Sequence, residues 1–326
     1  MDTILNIGIT WNIFLQHLGT WLKTPMEAFS FLGTEYFFML ILPALYWCVD
    51  TQLGLRVGVI LLLSTSVNGA LKLAFHGPRP YWYSADVKNY AAETSFGVPS
   101  GHAQIATGVW GMMAAGIRKW WAWLVAGLII LLIGISGLYL GVHFPHDVLL
   151  GWLIGGLLLW LTLRFWDPVA ARLKKLNLGR QILAAFLASL VLILFELIPF
   201  LWLRLTNWQP PQAWAQYATG AVTLSGAFTT AGTLFGLLTG LAWFTRQGGF
   251  NATGPVWKRI LRYVLGLVGV LVFYIGLDIL FGLIAPDAEA LLPYILRFAR
   301  YTLVGAWVTG GAPWVFIRLK LTEKAS

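Results

Sequence analysis

Long apolar runs separated by short polar connections dominate the chain. Nine of them approach the ~20 residues that a helix needs to cross a bilayer: Phe31 to Val49, Leu53 to Phe75, His102 to Ile117, Trp120 to Leu140, Val148 to Phe165, Ile182 to Leu203, Ala215 to Phe244, Leu261 to Ala285 and Tyr301 to Ile317. The pattern predicts an all-α integral membrane protein with about nine transmembrane helices. The stretch Ile4 to Leu22 is also apolar, but Asn6, Asn12, Gln16 and His17 interrupt it, which predicts an interfacial helix rather than a tenth span. It has neither the basic n-region nor the small-residue cleavage site of a signal peptide. The connection 166–180, with Pro168 and four basic residues, separates two apolar blocks. The expected organisation is a membrane domain over 1–165, with residues 1–22 as its interfacial helix. A basic cytoplasmic linker over 166–180 and a C-terminal membrane domain of about four helices over 181–326 follow, the last with no function assigned.

Composition agrees with a membrane as solvent: of 326 residues, 58% are hydrophobic and only 11% charged. The single cysteine, Cys48, has no intrachain partner. A net charge of +9 raises nucleic acid as a partner, but the basic residues sit in short connections between spans, where anionic headgroups of the bilayer are the better counterpart and no nucleic acid is expected. Fifteen of the 22 Lys and Arg fall on one set of connections, among them Arg118, Arg172, Lys174, Arg246, Arg259 and Arg318. That side is therefore expected to be cytoplasmic, together with the C-terminus. The expected location is a bacterial plasma membrane.

Three polar clusters fall at span ends on the opposite, extracytoplasmic side. Lys72 precedes Arg79 and Pro80; Pro99, Ser100, Gly101 and His102 open the third span; His143 and Asp147 join the fourth and fifth. Singly, each has a plain explanation as a snorkelling cation, a helix cap or an i,i+4 pair. Jointly, they place two cations, two histidines and a helix N-terminus in one small volume, which suits a phosphate. Lys72 and Arg79 would neutralise it, while Ser100 and the free N–H groups of Gly101 and His102 would donate hydrogen bonds aided by the helix dipole. Asp147 is placed to hold one imidazole nitrogen of His143, leaving the other as nucleophile; His102 then serves as acid and afterwards as base for water.

At these residues the chain resembles the type 2 phosphatidic acid phosphatase superfamily, which includes the vanadium haloperoxidases. Lys72, Arg79, Pro80, Pro99, Ser100, Gly101, His102, Ser136, His143 and Asp147 all match its pattern. The resemblance covers roughly the first half and implies a phosphatase-like helical bundle, without metal or other cofactor, acting on a phosphomonoester or diphosphate. The leading expectation is hydrolysis of a lipid phosphate at the outer face through a phosphohistidine. The alternatives are phosphotransfer at the same site and a non-catalytic lipid-binding or transport protein. One position departs: Gly137 stands where the family carries a phosphate-contacting arginine. Arg204, Arg297 and Arg300, expected on the same membrane side, are the cations available to replace it.

The histidines outside the pattern, His17, His76 and His146, carry less weight, and without a carboxylate cluster they suggest no metal site. Glu196 and Asp278, ionisable and inside apolar spans, are expected either to pair with Arg204, Arg297 or each other or to serve transport. The Gly, Ser and Thr residues from Thr219 to Thr239 favour close helix packing.

Overall fold

The computed structural model describes residues 2–285 and 291–325, and among these every regular element is a helix. The α-helices longer than one turn are α1 (Asp2–His17), α2 (Lys23–Phe31), α3 (Glu35–Cys48), α4 (Thr51–Phe75), α5 (Gly101–Ile117), α6 (Trp120–Tyr139), α7 (Pro145–Lys174), α8 (Leu178–Leu205), α9 (Ser225–Thr245), α10 (Val256–Leu271), α11 (Leu277–Ile284), α12 (Leu291–Ala306) and α13 (Ala312–Arg318). A π-helical turn, Val272–Gly276, joins α10 to α11, and a second, Trp307–Gly311, joins α12 to α13.

Among the described residues six helical stretches are long and apolar enough to cross a membrane, or seven if the bent pair Thr20–Phe31 and Tyr36–Cys48 is one span. The remaining expected spans are helical but shorter. Arg118, in the left-handed region at φ 57°, ends α5 after 17 residues. The π turn at Trp307–Gly311 ends α12 after 16. Most of the basic connection 166–180 is itself helical, because α7 continues through Pro168 to Lys174 and α8 starts at Leu178.

The chain forms two compact units. The first comprises Met1–Phe38, Leu63–Leu163 and Phe195–Thr223. Within it α1, α2 and α5 all pack on α6, and its core gathers Trp82, Phe96, Tyr139 and Trp214. α7 reaches α5 through glycines: a Cβ on Gly151 would lie 2.7 Å from the Ser100 carbonyl oxygen, and one on Gly155 would be closer still to that of Gln104. Bare backbone on α7 therefore brings the ends of α5 and α7 together.

The second unit comprises Met39–Leu62, Arg164–Leu194 and Leu224–Ser326. Here α9 lies along α12, with Gly232, Gly236 and Gly240 against the backbone of Phe298, Thr302 and Ala306, the close packing expected of that small-residue stretch. Trp47, fully buried, donates through Nε1 to the Val308 carbonyl at 2.8 Å. Asp278 pairs with Arg300, not with the partners anticipated for it.

Candidate active site

Every expected site residue lies in the first unit. Ser100 caps α5, its hydroxyl oxygen accepting from the Ala103 N–H at 3.4 Å, so Gly101 and His102 form the exposed-dipole first turn. The Ser100 N–H donates to the Asp147 carbonyl at 3.0 Å, which fixes the start of α7 to the cap of α5. Behind them a buried amide pair holds the geometry. Asn68 Nδ2 donates to Pro99 O at 3.2 Å and to Gln104 Oε1 at 3.0 Å, and Gln104 Nε2 donates to Ser64 O at 2.9 Å.

His143 and Asp147 are both buried, at 1% and 0% exposure. Nδ1 of His143 lies 3.4 Å from Oδ2 of Asp147. That is longer than a strong hydrogen bond, and such contacts tighten when substrate is bound. The same Oδ2 accepts from the Phe144 N–H at 2.8 Å, while Oδ1 is 3.2 Å from Nε2 of His146. His146, which adjoins Asp147 in the sequence, thus also lies beside its carboxylate. Burial first, and then the charges of Arg79, Lys72 and His102, hold the His143 imidazole well below the usual histidine range. A neutral ring with an available nitrogen is the form that a nucleophile needs.

Lys72, on the last turn of α4, and Arg79 both reach the segment before Ser100. Lys72 Nζ donates to Ser95 Oγ at 2.8 Å and Phe96 O at 2.7 Å. Arg79 Nε donates to Ser95 O at 2.7 Å, and Nη1 to Val142 O at 2.9 Å, next to His143. The fully buried guanidinium therefore ties the second polar cluster to the third. Its Nη2 is also 3.7 Å from Glu93 Oε2. Burial pushes the Glu93 carboxyl up, but Arg79, His102 and Lys72 together hold it below its usual range. His102 itself is seated against Gly33, where a Cβ would come within 3.1 Å of its Cδ2.

Several of these residues gave no signal in the sequence. Glu93 and Ser95 lie in a loop without periodicity. Asn12 and Gln16 look like polar interruptions of an apolar helix, yet both are buried. Asn12 Nδ2 donates to Leu138 O at 2.7 Å and His143 O at 3.0 Å. Gln16 Nε2 donates to Tyr139 O at 2.9 Å and Lys88 O at 2.8 Å, and its Oε1 accepts from the Lys88 N–H at 2.9 Å. The outward face of α1 carries the large apolar residues Ile4, Ile7, Trp11 and Phe14, beside the exposed polar residues Thr3, Asn6, Thr10 and His17. The connection after α8 also contributes, stacking Trp214 and Tyr217 on Trp82 at 5.8 and 6.2 Å.

Gly137 faces His143, and a Cβ there would lie 3.3 Å from its Cδ2. Arg204 sits over the Phe200 ring at 5.5 Å, and Arg300 is engaged with Asp278. Glu196 is buried in the first unit beside Ser66 and against Gly69, not in a pair with an arginine or with Asp278 among the described residues.

A membrane helical bundle that gathers two cations, a helix N-terminus and a carboxylate-backed histidine has the equipment of a phosphoryl-transfer enzyme. Residues 53–169 match the PAP2 superfamily and residues 228–324 match the transmembrane extension of PAP2 superfamily phosphatases. The chain belongs to the PAP2 superfamily and is a phosphatase. Phosphatidylglycerophosphatase B of Bacillus subtilis is 31% identical over 46% of this chain and 77% of its own length. Glucose-6-phosphatase 3 of Bos taurus is 27% identical over 97% of this chain and 96% of its own. Among solved structures, the first transmembrane PAP2 type phosphatidylglycerolphosphate phosphatase from Bacillus subtilis matches with 26% identity and a TM-score of 0.46, over 52% of this chain and 89% of its own.

Proposed function

We propose that the protein hydrolyses a lipid-linked phosphate at the extracytoplasmic face of the membrane through a phosphohistidine on His143. The observation that carries this reading is the junction of α5 and α7, where the Ser100 N–H is bonded to the Asp147 carbonyl at 3.0 Å and the Asp147 carboxylate lies 3.4 Å from His143. Phosphate bound at the α5 N-terminus meets the side of the imidazole turned away from Asp147. In the first step Nε2 of His143 forms a bond to phosphorus as the ester P–O bond breaks, and His102 gives its proton to the departing alkoxide. In the second, water loses a proton to His102 and attacks phosphorus, releasing phosphate and restoring His143. Asp147 stabilises the Nδ1 proton as charge develops on the ring. Lys72, Arg79 and the α5 N–H groups take up the negative charge of the transferring oxygens.

A second reading replaces the lipid with a soluble sugar phosphate at the same site. Its support is that the likeness to glucose-6-phosphatase 3 runs through the C-terminal half as well as the first, which the match to phosphatidylglycerophosphatase B does not. The division into a catalytic half over 1–165 and a C-terminal membrane half over 181–326 belongs to both readings. Purified full-length protein in detergent, chelator present, should release phosphate from a panel of phosphatidic acid, phosphatidylglycerol phosphate, polyprenyl diphosphate and glucose 6-phosphate. Preference for a lipid supports the first reading and preference for the sugar the second. A strict need for added divalent metal would contradict both.

A further inference from the structure

We infer that Glu93 determines the choice of leaving group, accepting a hydrogen bond from a free hydroxyl near the phosphoester oxygen, so that the site favours polyol phosphates over plain alkyl phosphates. The inference rests on the phosphatase function of this site and narrows its substrate class. A carboxylate is an expensive neighbour for a phosphate. Its oxygen is 3.7 Å from Arg79 Nη2, and its field also reaches His102 and Lys72, so it opposes the same anion that these three groups attract. The backbone denies it an easy retreat. The Glu93 N–H donates to Tyr81 Oη at 3.1 Å, and Tyr81 Oη–H donates back to Glu93 O at 3.0 Å. Tyr81 is in turn buried beside Trp82 and Tyr217.

Glu93 is also the acid of this cluster that stands open. Its side chain keeps 33% exposure, against 0% for Arg79 and Asp147. A partly exposed carboxylate 3.7 Å from Arg79, whose field reaches His102, would meet the carbons next to the ester oxygen of a phosphate bound by these groups. A hydroxyl there gains a charge-assisted hydrogen bond, whereas a methylene desolvates the carboxylate and gives it no hydrogen bond in return. Sites that hydrogen-bond a substrate hydroxyl reject analogues lacking it far better than apolar pockets reject an extra group. Glycerol phosphate headgroups and hexose phosphates satisfy the requirement; phosphatidic acid and polyprenyl phosphates do not.

The test compares matched esters on full-length protein in detergent: glycerol 3-phosphate with propyl phosphate as the soluble pair, and phosphatidylglycerol phosphate with phosphatidic acid as the lipid pair. In wild type the hydroxylated member of each pair should have kcat/KM higher by about 10- to 100-fold. Glu93→Ala should bring the ratio close to one, and Glu93→Gln, whose amide oxygen still accepts, should retain part of it. Inorganic phosphate as competitor supplies a readout that a merely structural role would not give. Removing the carboxylate charge beside Arg79 should tighten its inhibition several-fold in Glu93→Gln. A wild-type ratio near one, or variants that slow both members of a pair equally and weaken phosphate inhibition, would overturn the inference. Absence of release from every ester in wild type is a different result, which sinks the phosphatase reading and this inference with it.

Discussion

At the scale of single residues, the site turns on what surrounds His143. Its imidazole is held below the ordinary 6.5 first by burial and then by nearby cations, so the ring is neutral through neutral pH and protonates only in more acid solution. The acid limb of kcat/KM against pH should therefore lie below 6.5. Replacing Lys72 by Met removes a positive charge that disfavours imidazolium, and should move this limb to higher pH; a limb that stays fixed or moves down would contradict the electrostatic assignment. Gly137 is the second residue at issue. An arginine there must fit a Cβ 3.3 Å from His143 Cδ2, so the ring has to give by a few tenths of an ångström. Gly137→Ala tests the crowding alone, and Gly137→Arg adds the cation. If the guanidinium reaches the transferring oxygens, the arginine variant should turn over about 10-fold faster than the alanine variant. Equal rates would mean that the phosphate is held without any contribution from this position. Lys72, Arg79, Ser100, Gly101, His102, His143 and Asp147 were legible in the sequence because each sits at a fixed spacing in a short motif. Glu93 and Ser95 were not, since their places beside Arg79 and Lys72 follow from a loop path that no periodicity encodes.

At the scale of elements, the helix that proved most misleading in the sequence is α1. Asn12 and Gln16 interrupt an apolar run and read as contacts with headgroups. In the fold they turn inward, while the large apolar residues Ile4, Ile7, Trp11 and Phe14 turn outward together with Asn6, Thr10 and His17, so the two buried amides meet backbone carbonyls and not headgroups. Hydropathy reports how polar a residue is, not which side of a helix will meet lipid. The carbonyls of Leu138, Tyr139 and His143 to which these two amides donate belong to the end of α6 and the turn that carries His143. Asn12→Ala would take the side-chain donor from the His143 carbonyl, while Leu138 O keeps the Gly141 N–H; the loss should cost about 1–3 kcal/mol and loosen that turn. The expected signature is kcat lower by about 10- to 100-fold with KM changed little, since misplacing a reacting group costs rate more than binding. Asn12→Ala protein with wild-type kcat would show that α1 only covers the bundle. By contrast, the apposition of α5 and α7 had a trace in the sequence, because Gly151 and Gly155 stand four apart in an otherwise bulky apolar helix.

At the scale of the whole molecule, the all-helical membrane architecture was plain from the apolar runs, while the count of spans was not. The shorter helices α3, α5 and α12 are where length ceases to separate a crossing helix from a partial one, and π turns inside apolar runs leave no mark on hydropathy. Orientation rests on the distribution of Lys and Arg. With Cys48 replaced, a cysteine introduced between Tyr81 and Asn89 should react with an impermeant thiol reagent in intact cells, and one at Lys174 should be protected; the reverse pattern would place the site on the cytoplasmic side. In the proposed function, what unites the residues, the helices and the orientation is covalent chemistry at one nitrogen. The direct measurement is a rapid quench of the full-length protein turning over a phosphate ester labelled in its phosphorus, under conditions that spare phosphoramidates, followed by mapping of the label. The phosphohistidine account predicts label on His143, lost in His143→Ala and accumulating when the second, hydrolytic step is slowed. Label on any other residue, or full turnover by His143→Ala, would contradict it.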